Sequence, residues 1–379
     1  MARRIDGRRI ADAVEAGVAG GAYPGAVVLV GLTGESVYHQ AFGRRSLEPG
    51  DGPMRPGTVF DLASLTKPLA TGLAVMRLIA ERKLRLDDRV TRFVPNFGVH
   101  GKLEVTIRHL LSHCAGLAAW RPFYREVART AARGSLDYLA TRGARDAVYE
   151  AIHREHLEYP TGTQGVYSDL GFILLGELVE LLTHRTLAQY CQERVHGPLG
   201  LRATGFVDLS QLRRQNLVPV EEMIAPTERC PWRRRLLCGE VQDDNAYAMG
   251  GVAGHAGLFA SAGDVHRLMV ALRAAWRGDE TVFSPDLLRE FWRRDTTVPE
   301  STWALAWDTP SAEGSSAGRH VSAHAVGHLG FTGTSVWFDL DRDCHVIFLT
   351  NRVHPTRHND RIKAVRPRVH DAVFEALDR

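Results

Sequence analysis

Ala26-Val27-Val28-Leu29-Val30-Gly31-Leu32 is an unbroken apolar run set between Pro24-Gly25 and Thr33-Gly34. Such a run, bounded by turn residues, reads as a strand buried on both faces. Across the Gly34 turn, Ser36-Val37-Tyr38-His39-Gln40-Ala41-Phe42 answers it as a hairpin partner. The far end of the chain repeats the arrangement, with Thr334-Ser335-Val336-Trp337-Phe338-Asp339-Leu340 followed by Cys344-His345-Val346-Ile347-Phe348-Leu349-Thr350. Helical patterns fill the middle: Leu65 to Lys83, Ile107 to Ser112, Leu136 to His153, Leu170 to Leu182 and Leu187 to Val195. A strand pair at each terminus around a helical middle packs most simply as one sheet built from both ends. The helical part is then an insertion, and the sheet domain is discontinuous in sequence.

The 379 residues hold 44% hydrophobic side chains, enough for one large or two modest domains, which excludes the disordered and fibrous classes. Basic and acidic residues number 47 and 44, giving a formal net charge of +3 without a long block of one sign, so no nucleic-acid partner is expected. The basicity is almost all arginine. Only Lys67, Lys83, Lys102 and Lys363 are lysines, which makes each worth attention. Five widely spread cysteines, Cys114, Cys191, Cys230, Cys238 and Cys344, suit reduced thiols better than a disulfide framework or a zinc cluster. Arg3-Arg4 and Arg8-Arg9 precede an uncharged stretch, but Asp12, Glu15, Pro24 and several glycines make it poor signal-peptide material. No segment reaches the roughly 18 to 20 apolar residues of a membrane span, and a cytoplasmic protein with no membrane partner is expected.

Three elements carry chemistry. Ser64-Leu65-Thr66-Lys67 opens a helical run just after the strand-like Thr58-Val59-Phe60-Asp61-Leu62. A spacing of three places both side chains on one face, so the amine can sit beside the hydroxyl. A serine needs a base before it is a nucleophile, and a lysine serves only when its surroundings depress its pKa toward neutrality. Leu65, Leu69 and Leu73 supply an apolar setting for that. The same spacing also suits a capping serine with a solvated lysine. Next, Gly165-Val166-Tyr167-Ser168-Asp169 puts a tyrosine on a turn before a helix, where a phenol could relay a proton or simply pack. Last, Gly327-His328-Leu329-Gly330-Phe331-Thr332-Gly333-Thr334-Ser335 is either a hairpin turn or a place where backbone N–H groups approach a substrate carbonyl.

In this order, with separations of 103 and 161 residues, the three elements resemble the serine β-lactamase and penicillin-binding-protein superfamily. They resemble in particular its branch of class C β-lactamases, D-aminopeptidases and related carboxylesterases. The likeness spans nearly the whole chain. Tyr23-Pro24-Gly25-Ala26-Val27, Thr106-Ile107-Arg108-His109-Leu110-Leu111-Ser112-His113 and Gly250-Gly251-Val252-Ala253-Gly254-His255-Ala256-Gly257-Leu258 resemble further segments of the family. The resemblance implies an α+β fold: an antiparallel sheet flanked by helices, from residues 1–62 and 246–379, and an inserted mainly helical domain, 63–245, with the active site between. It implies a serine hydrolase without cofactor that forms an acyl-enzyme with a small-molecule acyl substrate. Ser64 would be the nucleophile and Lys67 with Tyr167 the shared base and acid. The N–H groups of Ser64 and Phe331 would be the oxyanion hole, and Asp169, His328, Leu329 and Gly330 would contact substrate.

Two departures bear on the substrate. Asp169 stands where the family's Tyr-x-Asn motif has an amide, and His328 stands where Lys-Thr-Gly has a cation. Both remove positive or donor character, which favours esters or amides over β-lactams and D-alanyl peptides, with a non-turning binding or sensor module as the rival of another class. If His328 faces the acyl pocket, its charge near pH 6.5 would tune the binding of carboxylate substrates. His320, His324 and His328 are spaced as helical metal ligands, yet Gly327 and Gly330 indicate loop and strand there. Arg233-Arg234-Arg235 reads as a solvated turn, and Asp243-Asp244-Asn245-Ala246 as a polar loop. Asn351, Arg352 and His255 have no assigned role from sequence.

Overall fold

In the computed structural model, which describes residues 5–134, 138–215 and 221–377, the decisive run forms strand Gly25–Leu32 and is buried at every position. It is an inner strand of a five-stranded antiparallel sheet. The order across the sheet is Glu35–Gly43, Gly25–Leu32, Cys344–Thr350, Ser335–Asp339, Ala325–Leu329. Val28 lies opposite Phe348 and Val30 opposite Val346, so the two chain ends meet at the sheet centre. Both faces are covered, which is why the run is continuously apolar rather than alternating. Val27 and Leu29, with Ile347 and Leu349, point into the main core, where helix Ala262–Trp276 packs. Val28 and Val30, with Val346 and Phe348, point to the helices Gly7–Ala19 and Ile362–Leu377. The edge strand Glu35–Gly43 buries only Tyr38 and Phe42 and exposes Glu35, Ser36, His39, Gln40 and Gly43.

A second, three-stranded sheet joins Val59–Asp61 to Leu258–Ser261 and that to Gly205–Phe206. It delivers the chain directly to Ser64. Helix Asp169–Thr183 is the hub of the helical part: every residue from Leu170 to Val179 is buried, all apolar but Glu177, which bonds His153. Ser168 caps it, its hydroxyl accepting from the Gly171 N–H.

The helix read from Leu65 to Lys83 is broken into three windings, a 3-10 turn Ala63–Leu65, a π-type stretch Lys67–Gly72 and α-helix Leu73–Ala80. The helix expected from Leu136 starts at Arg142, where the Thr141 hydroxyl accepts from the Ala144 N–H; Leu136 itself lies outside the described residues. Among the described residues, no helix is long and apolar enough to cross a membrane.

Candidate active site

The segment that carries Ser64 is shaped by a buried carboxylate. Asp61 Oδ1 accepts from the Ala63 N–H at 2.9 Å and Oδ2 from the Gln242 N–H at 2.7 Å. Burial pushes this carboxyl up to about 6 against those two bonds. The bond to Ala63 holds that residue at φ +48°, a left-handed conformation costing an alanine roughly 1 to 2 kcal/mol. The kink sets Ser64 at the head of the helix beneath the sheet edge.

Lys67 is completely buried and spends its three protons on three acceptors: Ser64 Oγ at 3.1 Å, Asp169 Oδ1 at 2.7 Å and the His255 carbonyl at 3.2 Å. Its Nζ lies 4.6 Å from the centroid of the Tyr167 ring, and the Tyr167 hydroxyl interacts with both Lys67 and Ser64. Sequence, helix and turn thus bring Ser64, Lys67 and Tyr167 together as expected from the motifs.

The charge state differs from the expected one. Burial by itself pulls the Lys67 amine down, but the neighbouring Asp169 charge, then Tyr167 and the hydrogen bonds to both, outweigh it and leave the pKa raised. Tyr167 is raised by burial and by Asp169, with Lys67 pulling the other way. At rest the site therefore holds an ammonium, a phenol and the Asp169 carboxylate. Asp169 was expected beside the substrate; its Oδ1 serves as the counter-ion of the lysine, and its side chain is 16% exposed.

His328 also departs from expectation. It lies on strand Ala325–Leu329, 2% exposed, with Nδ1 donating to the Leu329 carbonyl at 2.8 Å. The rings of Trp303 and Tyr167 cover it, with centroids at 5.7 and 6.0 Å. Burial, then the Lys67 charge, holds its pKa down at about 3, so it is neutral near pH 7 instead of titrating near 6.5. The three histidines of the helical-spacing pattern go separate ways: His320 pairs with Glu375 and His324 with Asp341. Among the described residues, no cluster of three His, Cys, Asp or Glu side chains could share a metal ion.

The strand ends at Leu329, and the turn that begins with Gly330 is bolted to the segment leading to Ser64. Thr332 Oγ1 donates to the Asp61 carbonyl at 2.7 Å and Thr334 Oγ1 to the Leu62 carbonyl at 3.0 Å. A Cβ on Gly330 would meet Thr334 Oγ1 at 2.0 Å and the Leu62 carbonyl at 2.5 Å, so only glycine permits this approach. The links hold the turn that bears Phe331 against the Asp61–Leu62 segment leading to Ser64, while the Phe331 ring stays 49% exposed.

Several residues here carried no readable signal. His113 packs tilted against the Tyr167 ring and edge-on against Trp303, with centroids at 4.7 and 4.5 Å, and its Nδ1 accepts from the Ser168 N–H. Burial, then the charge of Lys67, keeps it neutral, its pKa well below 6.5. His255 gives Lys67 its carbonyl and bonds Asp243 Oδ1 through Nε2 at 2.9 Å. Arg233, expected in a solvated turn, has a side chain only 2% exposed: it bonds the Val241 and Gln242 carbonyls and Asp244, and lies 4.0 Å over the Tyr247 ring. Asn351 ties down loops, donating to the Arg45 and Pro226 carbonyls. Arg352 donates to the carbonyls of Phe331, Arg357 and Asn359. A separate cavity of about 820 Å³, lined in part by Gln189, Arg202, Phe206, Met223 and Phe259, contains none of these site residues.

Comparison with known proteins gives the family. A chain of Escherichia coli, named provisionally as a D-alanyl-D-alanine carboxypeptidase, is 32% identical over 88% of this chain and 79% of its own length. The N-acetylmuramyl-L-alanine amidase of Bacillus subtilis is also 32% identical, over 92% and 81%. The solved structure of EstCE1, a hydrolase with promiscuous acyltransferase activity, superposes with a TM-score of 0.74 at 23% identity, covering 97% of this chain and 98% of its own. The pattern of the Beta-lactamase family matches residues 10–369, nearly the whole chain. The chain belongs to the Beta-lactamase family and is a serine hydrolase.

Proposed function

We propose that Ser64 is the acylated nucleophile of an esterase or amidase that takes uncharged acyl substrates. The observation that carries the reading is the Lys67 ammonium, which joins Ser64 Oγ to Asp169 with Tyr167 packed against it. Ser64 Oγ attacks the substrate carbonyl as its proton passes to the Lys67–Tyr167 pair, which titrates as a unit after losing one proton. The carbonyl oxygen becomes an oxyanion facing the N–H groups of Ser64 and Phe331. Collapse breaks the bond to the leaving group, which receives the proton. Water then attacks the ester, the pair accepts a proton from it, and Ser64 is restored as the free acid departs. Both Lys67 and Tyr167 are raised, so the deprotonated pair is scarce near neutrality and the rate climbs with pH.

Preference for an uncharged substrate follows from how the cations are employed. Lys67 is neutralised by Asp169, His328 is buried and uncharged, and Arg352 is bound to three carbonyls. A second reading, cleavage of a D-alanyl peptide or muramyl amide, draws on the names of the two relatives at 32% identity. That reading needs a site for a peptide carboxylate, and none of these three side chains offers one. The five unpaired cysteines support a cytoplasmic setting.

Short-chain p-nitrophenyl esters, D-amino-acid amides, a D-alanyl-D-alanine peptide and a chromogenic β-lactam, assayed side by side, separate the two readings. Ser64→Ala should abolish both turnover and fluorophosphonate labelling without unfolding, since it removes one hydroxyl and no core volume. Lys67→Ala and Tyr167→Phe should each lower kcat by roughly 10² to 10⁴-fold. Wild-type labelling of Ser64→Ala sinks the assignment, and turnover confined to the D-alanyl peptide favours the second reading.

A further inference from the structure

Arg366 sits in the C-terminal helix Ile362–Leu377 with 6% of its surface exposed. Its Nη2 donates to two carbonyl oxygens, those of Gly330 and Thr334, each at 3.3 Å. Its Nε has no partner, and it forms no ion pair among the described residues. Burial, with Arg352 nearby, lowers its pKa to about 10, so it remains a cation at neutral pH. A buried cation without a counter-ion is costly. An apolar side chain would dock this helix on the sheet at less expense, so the position of the charge calls for a use.

The oxygen it holds supplies one. The Gly330 carbonyl belongs to the same amide group as the Phe331 N–H. A cation donating to that oxygen draws electron density away from the nitrogen and makes the N–H a stronger donor, as hydrogen bonds in a chain polarise one another. The second oxygen, that of Thr334, also accepts the Gly330 N–H at 2.7 Å, so the guanidinium grips both ends of the turn that presents Phe331. Thr332 and Thr334 anchor the same turn to the Asp61 and Leu62 carbonyls beside Ser64.

We propose that Arg366 is a positioning residue that polarises the Gly330–Phe331 peptide from behind, so that negative charge forming on a substrate carbonyl oxygen meets a strengthened donor. The inference rests on Ser64 being the acylated nucleophile with Phe331 in its oxyanion hole. Arg366 never touches the substrate, and its effect is on the transition state rather than on ground-state binding.

The test compares Arg366→Met, Arg366→Gln and Arg366→Lys on a short-chain p-nitrophenyl ester and on an aryl trifluoromethyl ketone, whose serine adduct carries an oxyanion. Losing a whole oxyanion donor costs roughly 10² to 10³ in kcat, and weakening one should cost about 10-fold. Arg366→Met should therefore lower kcat about 10-fold with KM little changed, and weaken the ketone by a similar factor, while Arg366→Lys recovers most of both. A role confined to packing would lower the melting temperature and leave the ketone's inhibition constant where it was. Should Arg366→Met not fold, Arg366→Gln and Arg366→Lys carry the same comparison of neutral with charged side chain. Wild-type kcat and ketone affinity in the neutral variants, or a loss that lysine does not relieve, overturns the inference while Ser64 labelling stands. A wild type that forms no adduct at Ser64 overturns the functional reading and this inference with it.

Discussion

Replacing Asp169 by asparagine is the sharpest probe of how this site holds its protons. The substitution keeps an oxygen that can accept from Lys67 and deletes a negative charge 2.7 Å from Nζ. At an effective dielectric of about 20, Coulomb's law gives roughly 6 kcal/mol at that separation, a ceiling near 4 pKa units. Water around the partly exposed carboxylate screens it, and the amide dipole retains part of the attraction. The shift then falls within the roughly 1 to 3 units found when an opposite charge is removed at contact. The sign does not depend on which group takes the serine proton. Asp169 raises Lys67 and also raises Tyr167, so removing it lowers both and makes the deprotonated pair more abundant at any given pH. The alkaline-rising limb of kcat/KM for a neutral ester should therefore move about 2 units toward acid in Asp169→Asn. Its plateau should fall, because a less basic pair is a weaker acceptor. Initial rates across a pH series, with melting temperatures taken in parallel, measure this directly. A limb that stays put, or moves toward alkali, would refute the claim that Asp169 sets the protonation of the catalytic pair.

His328 is neutral by burial, so KM for a carboxylate-bearing substrate and for its neutral analogue should follow parallel pH profiles; divergence centred near pH 6.5 would restore the charge contact. The same burial makes His328 an acid liability. The unfolded chain takes up its proton below pH 6.5 and the native state only near 3, so stability falls as the pH drops through that window. It does so at about 1.4 kcal/mol per unit for this residue, and His328→Gln should flatten acid unfolding by about one proton. Arg233→Met strands the Val241 and Gln242 carbonyls and leaves the buried Asp244 with only Arg357 as a cationic partner among the described residues, and should cost about 3 to 5 kcal/mol in denaturant titration. A loss under about 1 kcal/mol would mean that the arginine is solvated after all.

Much of this architecture is written in local pattern. Ala26–Leu32 and Cys344–Thr350 announce themselves as strands because a segment buried on both faces must be apolar at every position, and Ser64 with Lys67 is legible because one helical turn brings them together. What the sequence by itself determined is therefore the sheet built from both ends, the helical insertion and the meeting of Ser64, Lys67 and Tyr167 at one place. Their charges and surroundings were decided by contacts between distant residues. Lys67 was expected to be driven toward neutrality by leucines beside it, yet its protonation is governed by Asp169, 102 positions away. Burial misled for His328 and Arg233, since nothing near either in the chain indicates that Trp303 and Tyr167 will cover the one or that Asp244 and Tyr247 will enclose the other. Arg366 was silent for the same reason, being a helical arginine whose partners, Gly330 and Thr334, stand 36 and 32 residues before it. Periodicity reports which face of an element is buried, whereas electrostatics acts through space, and only the folded chain defines those distances.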